Sequence, residues 1–496
     1  LQDPLLLDGE RRRVSKDLPT AASRLARTTL GFARLLARLR GKVTMSYCCR
    51  SLEDDREMFP SPMVLAAFRI LAGNPEGDQD DLIRWLQEPA SFAPDRLDRC
   101  IDLTESWQWW MCEWDGILDP QEVIVSNFPH LGRGFVAKQA RASNRFTEYD
   151  GHVPQAGLDL DPTKPDGPVL SASALEMAGS CPMEYFFRYV LGIRPPDEIR
   201  IDPRIWLDPA ERGQLLHGVF RKFMQRLSEQ DLLPDFQRDE KFLMETLDEE
   251  LSWWRDSKPA PSRATYEREA QDLRQASRIF LQEEEEFCKK SWPFCFEASV
   301  GMLPEGQGTP LDTLQPVSLK LGDGATLRAR GRIDRVDQVP GSVGKQYTVW
   351  DYKTGSSWRY RRERAGVAED PFLQGRLVQG VLYLQLAESR LKETVSPEAA
   401  VDRFGYFFPT TREHGERVEW TAAELAQGVG VLGRLCEMLA KGAFPFTDDP
   451  GDVNYSDYKD AFGDVHAVAR ASSRKLENQE NEPLEPFRRL RGYDQE

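Results

Sequence analysis

The sequence predicts an α/β fold for the larger, C-terminal part of this 496-residue chain. Amphipathic helical patterns come first, at Glu211–Leu227 and near Ala264–Lys290, then a group of strand-like segments, then further helices. This order of helix, sheet and helix is typical of an α/β unit of about 300 residues. The predicted strands are Phe294–Met302, Val317–Leu321, Ala325–Asp337, Tyr347–Lys353 and Arg403–Phe408, and the predicted later helices are Phe372–Glu388 and Ala422–Leu439.

Changes in composition predict four regions. The turn-rich stretch "DLDPTKPDGPVLSAS" marks the best domain boundary, because clustered Pro, Gly, Asp and Ser interrupt regular structure. The predicted regions are 1–73, with a helix over 20–40 and a short strand over Lys42–Tyr47; an irregular, Trp-rich connecting region over 74–165; the α/β unit over 166–470; and a polar, loosely packed C-terminal tail over 471–496.

The charge of the chain is acidic overall but unevenly distributed. A net charge of −16 argues against a broadly basic surface and leaves room for a local nucleic-acid groove. Arg24, Arg27, Arg34 and Arg38 recur at helical spacing and form one basic stripe. Two interpretations of this stripe stay open: a solvated helix face, or a surface that follows phosphates or faces a partner.

Apolar runs and cysteines limit the class of protein. The sequence lacks an apolar run of about 18 residues and a signal-peptide pattern, so no membrane association is expected. Its eight cysteines include no C-x-x-C pair, which argues against a zinc ribbon and favours free thiols in a reducing cytoplasm. The chain starts with Leu rather than Met, so it is expected to be part of a longer protein.

A hairpin over 331–355, "GRIDRVDQVPGSVGKQYTVWDYKTG", carries the strongest chemical signal. Folding at the turn Pro340–Gly344 sets Asp334 opposite Asp351, within one residue. Facing carboxylates destabilise a sheet unless a cation lies between them. Because side chains alternate along a strand, Asp351 and Lys353 share a face about 6–7 Å apart.

Two carboxylates with a neighbouring lysine suit metal-assisted hydrolysis of a phosphodiester. A divalent cation polarises the phosphoryl oxygen and acidifies water, and the lysine stabilises developing charge or orients that water. The competing interpretation is two ordinary surface acids on a hairpin. A pattern this short does not exclude that interpretation without further context.

Five segments in one order supply that context: "SASALEMAGSCPMEYFF", "RGQLLHGVF", "GRIDRVD", "WDYKTG" and "QGVLYLQLA". Together they resemble the RecB-family PD-(D/E)xK nucleases, and most closely the C-terminal nuclease region of AddB-type helicase–nuclease subunits. The resemblance implies a restriction-endonuclease-like core, in which helices flank a central mixed sheet. It also implies that residues 1–73 are the C-terminal remnant of a helicase-like α/β domain.

The resemblance also implies roles for individual residues. Asp334 and Asp351 correspond to the metal carboxylates, Lys353 to the catalytic lysine, and His217 to a metal-proximal histidine. The Tyr352 carbonyl is a further candidate metal ligand. The implied cofactor is Mg²⁺ or Mn²⁺.

Four more positions are assigned by the same resemblance. Gly213, one helical turn before the histidine, is expected to leave space for a metal and a phosphate backbone. Gln379 and Tyr383 match a Gln-x-x-x-Tyr motif on one helix face. They are expected to touch the DNA backbone or to support the site, with simple helix packing open for Tyr383. Glu297 is a further candidate acid before the sheet.

Two departures from the family pattern limit the expected cofactors. Many AddB-type nuclease domains hold an iron–sulfur cluster on four cysteines; Cys181 matches the first, but the other three positions are Val453, Ser456 and Phe462. No iron–sulfur cluster is therefore predicted, because such a cluster needs about four ligands. The chain also lacks a G-x-x-x-x-G-K-[ST] loop, so no ATP site is expected.

The resulting hypothesis is a Mg²⁺- or Mn²⁺-dependent deoxyribonuclease. It is expected to degrade single strands exonucleolytically, beside an AddA-like helicase partner, in double-strand-break repair and recombination. The alternative is a catalytically silent nuclease-fold scaffold that guides DNA or binds a partner, although retention of Asp351 and Lys353 argues against it. A stand-alone nuclease is a third possibility, which the helicase-like segment disfavours.

Overall fold

A computed structural model describes residues 7–49, 57–86, 93–113, 119–195, 202–304, 308–322, 324–341, 345–361 and 370–493. The chain divides into two compact units, Leu1–Pro129 and His130–Glu496. Among the described residues, no helix combines the length and the apolar character that crossing a bilayer requires. The centre of the predicted hairpin turn, residues 342–344, lies outside the described residues.

The regular elements described in the first unit are helices. The predicted strand at Lys42–Tyr47 is wrong, since these residues form an extended loop without strand pairing. The basic stripe lies on a helix that has no buried residue. The described parts of the connecting region include helices at Gln79–Trp85, Leu103–Cys112 and Pro120–Asn127. The helices are α1 Asp8–Val14, α2 Ala21–Arg38, α3 Pro62–Leu71, α4 Gln79–Trp85, α5 Leu103–Cys112 and α6 Pro120–Asn127.

A five-stranded mixed sheet forms the centre of the second unit. The strands described in this unit, which also has a separate two-stranded sheet, are β1 Trp292–Val300, β2 Val317–Lys320, β3 Thr326–Ala329, β4 Gly331–Gln338, β5 Gln346–Tyr352, β6 Ala400–Phe408 and β7 Glu416–Thr421. Their order is β1-β4-β5-β6-β7, and β2 pairs with β3 separately. The β5–β6 pair is parallel and the other pairs are antiparallel.

Helices cover both faces of this sheet. The helices described from residue 129 onward are α7 Pro129–Ala142, α8 Pro154–Leu160, α9 Ala172–Ser180, α10 Pro182–Tyr185, α11 Pro209–Glu229, α12 Phe236–Ser257, α13 Arg263–Phe287, α14 Gln379–Thr394, α15 Ala422–Leu425, α16 Gly428–Ala440, α17 Lys459–Phe462, α18 Val465–Glu477 and α19 Glu485–Arg491. One core packs α11–α13 against Trp350 and Phe407. The other packs α9, α14 and α16 against Ile333 and Val349. The predicted α/β core with flanking helices is therefore confirmed.

Element boundaries differ from the predictions where the backbone leaves regular geometry. The predicted helix from Phe372 begins only at Gln379, because Leu373 and Gln374 have φ of 45° and 59°, in the left-handed region. The predicted strand Ala325–Asp337 is interrupted at Arg330, whose N–H donates to the Leu170 carbonyl at 2.9 Å. Strand β7 was not predicted.

The C-terminal segment is folded rather than loosely packed, so the predicted polar tail from residue 471 is wrong. Leu476 and Phe487 are fully buried in the core beside α16. The Arg491 guanidinium donates to the carbonyls of Gly179 and Ser180, both at 2.9 Å. The polar residues suggested a solvated tail, whereas several of them satisfy backbone carbonyls of the core.

Candidate active site

Helix α11 positions His217 beside the sheet. Asp208 and Glu211 form a capping box at its start and Pro209 follows the cap, which defines the helix N-terminus. Leu216 and Phe220 are fully buried, so the apolar side of the helix sets its rotation. His217 then lies at the edge of the buried face, 27% exposed, and points at β4 and β5.

The imidazole of His217 contacts both strands of the hairpin. Its Nε2 atom lies 3.1 Å from the Tyr352 carbonyl, and its Nδ1 atom lies 3.6 Å from Asp334 Oδ2. A carbonyl only accepts hydrogen bonds, so Nε2 carries a proton and donates it. In the neutral ring, Nδ1 then presents a lone pair that faces the acids. The Tyr352 carbonyl, a candidate ligand from sequence, thus contacts the histidine.

Glu297 joins this group through an unusual backbone conformation. Its φ is 53°, in the left-handed region that a non-glycine residue rarely adopts within a strand. Its Oε1 lies 3.8 Å from His217 Nδ1. Such strain persists only where the surroundings enforce it, and it is concentrated at functional sites.

His217, Glu297 and Asp334 present ligand atoms that all lie within 4.8 Å of one another. Two carboxylates and an imidazole suit a divalent cation. The pKa values of two of these residues reflect the negative charge that the carboxylates concentrate in the site. Burial, and then the Asp351 carboxylate, raise the pKa of Asp334 to about 8. Burial opposes protonation of His217, but Asp334 and Glu297 outweigh it and raise its pKa to about 9.

The two hairpin acids lie side by side but have separate partners. Arg335 pairs with Trp350, so Asp334 and Asp351 occupy the next position of that register, as predicted within one residue. The Asp334 Oδ2 atom accepts the Tyr352 N–H at 2.8 Å. Asp351 is turned instead toward the other side of the site.

Asp351, Lys353 and Gln379 form a hydrogen-bonded triangle. Lys353 Nζ lies 2.6 Å from Asp351 Oδ2 and donates to Gln379 Oε1 at 3.1 Å. Gln379 Nε2 donates to Asp351 Oδ1 at 2.6 Å. Burial disfavours the ammonium, but Asp351 outweighs it and raises the pKa of Lys353. The Asp351 carboxylate therefore favours the charged form of the lysine.

Tyr383 and Gly213, two residues assigned from the motifs, have packing partners. Tyr383 is buried, and a Cβ added at Gly331 would lie 2.8 Å from its Cε1 atom. This contact favours support of the site over contact with DNA. A Cβ at Gly213 would lie 3.3 Å from Thr354 Oγ1. The glycine therefore leaves room for the loop after β5, rather than only for a metal or phosphate.

Sequence reasoning missed Glu176, on α9. Its Oε1 atom accepts the backbone N–H groups of Val378 and Gln379, at 2.9 and 3.0 Å. Helix α14 has no cap from its own N-cap side chain, so Glu176 serves as a remote cap. Burial raises its pKa. The contact crosses 203 residues, and no local pattern marks it.

The positions that correspond to the family's cysteines pack as a small apolar cluster. Cys181 and Val453 are fully buried together, and Phe462 packs partly buried against them. Ser456 Oγ donates to the Glu184 carboxylate. Burial raises the pKa of the Cys181 thiol to about 12, which disfavours the thiolate that a metal requires.

A cleft of about 850 Å³ opens over these groups. It is lined by residues of α11 and α12, of β1 and β4, and of the loop after β5, among them His217, Glu297, Asp334, Lys353 and Gly355. The three grouped ligands His217, Glu297 and Asp334 therefore face the same open space as the lysine. That space can admit an extended ligand to both at once.

Comparison with known proteins agrees with this geometry. A profile of the PD-(D/E)XK nuclease superfamily matches residues 169–460. The chain is also similar to ATP-dependent helicase/deoxyribonuclease subunits from Acetivibrio thermocellus (28% identity over 192 residues), Clostridium acetobutylicum (27% over 197) and Geobacillus thermodenitrificans (28% over 196). Each alignment covers 38% of this chain and only 15% of the relative's length. The family resemblance inferred from the motifs is confirmed.

Proposed function

Because the chain belongs to the PD-(D/E)XK nuclease superfamily, we propose that it is a metal-dependent deoxyribonuclease whose active site is the cleft over β4 and β5. The observation that carries the proposal is the convergence of His217, Glu297 and Asp334 beside the Asp351–Lys353 pair. A scaffold that had lost its chemistry would have no need to keep this set of buried, strained and mutually repelling groups.

His217, Glu297 and Asp334 would hold a Mg²⁺ or Mn²⁺ ion, with Asp351 beside them. When bound, such an ion polarises a phosphodiester and acidifies a water molecule. Lys353 supplies a permanent positive charge that stabilises the negative charge developing on the phosphate. Gln379 holds both Lys353 and Asp351 in place, and Glu176 positions Gln379 by capping the start of α14.

The substrate and partner are proposed from the relatives. Their shared name describes a helicase and a deoxyribonuclease, and this chain matches 15% of their length. We infer exonucleolytic cleavage of single-stranded DNA beside an AddA-like helicase, in double-strand-break repair and recombination. Residues 1–73 would be the end of a helicase-like region.

We also propose that this domain works without an iron–sulfur cluster. Cys181 offers one thiol, whereas such a cluster needs about four ligands. Val453 and Phe462 instead pack against Cys181. Iron and acid-labile sulfide assays on protein purified without air would contradict this proposal if they found about four irons per chain.

The central experiment compares wild-type protein with Asp351→Ala and Lys353→Ala on labelled single-stranded and duplex DNA, with Mg²⁺, Mn²⁺ or EDTA. We expect metal-dependent cleavage that Asp351→Ala abolishes and that Lys353→Ala lowers about 100- to 1000-fold. A Lys320→Ala variant, which changes an exposed lysine on β2, is the control. Cleavage at the wild-type rate in either active-site variant would refute this site. DNA binding without cleavage under all conditions would support the scaffold alternative.

A further inference from the structure

One wall of the cleft carries an exposed tryptophan with no role in the proposed chemistry. Trp253 lies on α12 and lines the same cleft as His217, Asp334 and Lys353. Its side chain is 59% exposed. A tryptophan offers a large flat surface, and exposing it to water beside a polar site brings no gain in packing.

Its neighbour shows that packing does not explain the exposed ring. Trp254, the next residue, is buried at 9% exposure in the core between the helices. The two rings meet edge to face, with centroids 5.4 Å apart and planes at 88°. Trp254 therefore anchors the helix, and Trp253 is held beside the cleft by a rigid neighbour.

Other elements of the cleft bring cations near the candidate catalytic groups. Arg221 lies one helical turn after His217 on α11, and Arg332 lies two residues before Asp334 on β4; both line the cleft. The acidic Glu249 and Glu250 line it as well, but Glu250 is paired with Lys222 at 2.5 Å. An aromatic wall combined with arginines in one groove is the arrangement that binds a single-stranded nucleic acid.

We propose that Trp253 is a stacking platform for a nucleobase of an unpaired strand, with the sugar–phosphate backbone facing Arg221 and Arg332. This inference rests on the proposed function and names what selects the substrate. In a duplex the base faces are covered by their neighbours, so an indole cannot stack on them without unstacking the helix. Stacking tolerates any base, so the preference is for unpaired DNA and not for a sequence.

Binding measurements test the proposal independently of cleavage. Fluorescence anisotropy is measured in Mg²⁺ in a Lys353→Ala background, where the probe stays intact. The probes are a single-stranded oligodeoxythymidylate, its abasic analogue and a duplex of equal length. The variants are Trp253→Ala, Trp253→Phe and the control Trp292→Ala, which removes an equally large side chain of 51% exposure at the start of β1.

We expect Trp253→Ala to raise the Kd for the single strand about ten-fold and to leave the Kd for the duplex unchanged. Trp253→Phe, which keeps an aromatic face, should stay within about three-fold, and Trp292→Ala should have no effect. The abasic probe should bind the Trp253 protein about ten-fold more weakly and show no further loss with Trp253→Ala.

The inference would be overturned if Trp253→Ala weakened binding of the single strand and of the duplex by the same factor. It would also be overturned if Trp253→Ala raised the Kd for the abasic probe as much as the Kd for the intact single strand. The wild-type cleavage assay separates this failure from failure of the proposed function. Wild-type protein that never cleaves DNA but shows the expected pattern of Kd values would refute the nuclease and support the stacking platform.

Discussion

Replacing Asp334 with asparagine should stabilise the metal-free protein while destroying its activity. Burial and the neighbouring Asp351 raise the pKa of Asp334 from its ordinary 3.8 to about 8. The folded state therefore binds a proton more tightly than the unfolded state. The resulting stability is present at low pH and is lost progressively as pH rises from about 4 to about 8. Asparagine is nearly isosteric, carries no charge and can still accept the Tyr352 N–H bond.

The magnitude follows from that pH window. Each pH unit within it changes the relative stability by about 1.4 kcal/mol. Over three units, to pH 7, the loss of stability amounts to at most about 4 kcal/mol, because the folded state must keep Asp334 protonated. The substitution also removes a partner of the His217 imidazolium, which offsets part of the gain. We expect a net gain of about 2–4 kcal/mol at pH 7, or a rise in Tm of about 5 °C.

Urea unfolding of the metal-free protein at pH 5, 6, 7 and 8 measures the effect. The advantage of Asp334→Asn over wild type should grow with pH, and added Mn²⁺ should stabilise wild type much more than the variant. Glu269→Gln is the control. The Glu269 carboxylate is buried too, but it accepts two backbone N–H bonds, at 2.8 and 3.2 Å. Replacing Glu269 with glutamine should lower the free energy of unfolding by about 1–3 kcal/mol. A variant less stable than wild type, or a difference that does not change with pH, would refute the electrostatic reasoning.

Three further predictions concern the lysine, the histidine and the packing under the sheet. Lys353→Ala should lower kcat about 100- to 1000-fold and leave the Kd for DNA within a few-fold, as single-turnover kinetics and anisotropy would show. The raised pKa values of His217, about 9, and of Asp334, about 8, mean that binding of a metal releases protons from both ligands. The apparent affinity for Mn²⁺ should therefore rise at least about ten-fold per unit from pH 6 to pH 8 in calorimetry, and a flat profile would contradict this. Gly331→Ala should lower the free energy of unfolding in urea by about 1–3 kcal/mol, because the added Cβ would lie 2.8 Å from Tyr383. The control is Gly430→Ala on α16, where an added Cβ would meet no atom within 4 Å, and this substitution should leave the free energy of unfolding unchanged or raise it.

Residue spacing along the sequence predicted a helix or hairpin correctly where the pattern lies within that element. Helical spacing in Glu211–Leu227 predicted α11, and alternation on either side of the Pro/Gly turn predicted the hairpin that sets Asp334 beside Asp351. The predictions were wrong where contacts between residues distant in sequence, or an unusual backbone conformation, determine the structure. Leu373 and Gln374 take left-handed conformations that delay α14, and the C-terminal segment is folded because its arginine side chains meet carbonyls far away in sequence.

Sequence alone marked the two hairpin acids and the lysine by their pattern, and it added the histidine and Glu297 through the family resemblance. It could not show how these elements meet. Strict alternation places consecutive strand residues on opposite faces, yet Phe296 packs with the α11–α13 core while Glu297 faces the histidine of α11. The positive φ of Glu297 makes this possible. The remote cap from Glu176 and the position of Trp253 on the cleft wall likewise depend on long-range packing, which no short stretch of sequence encodes.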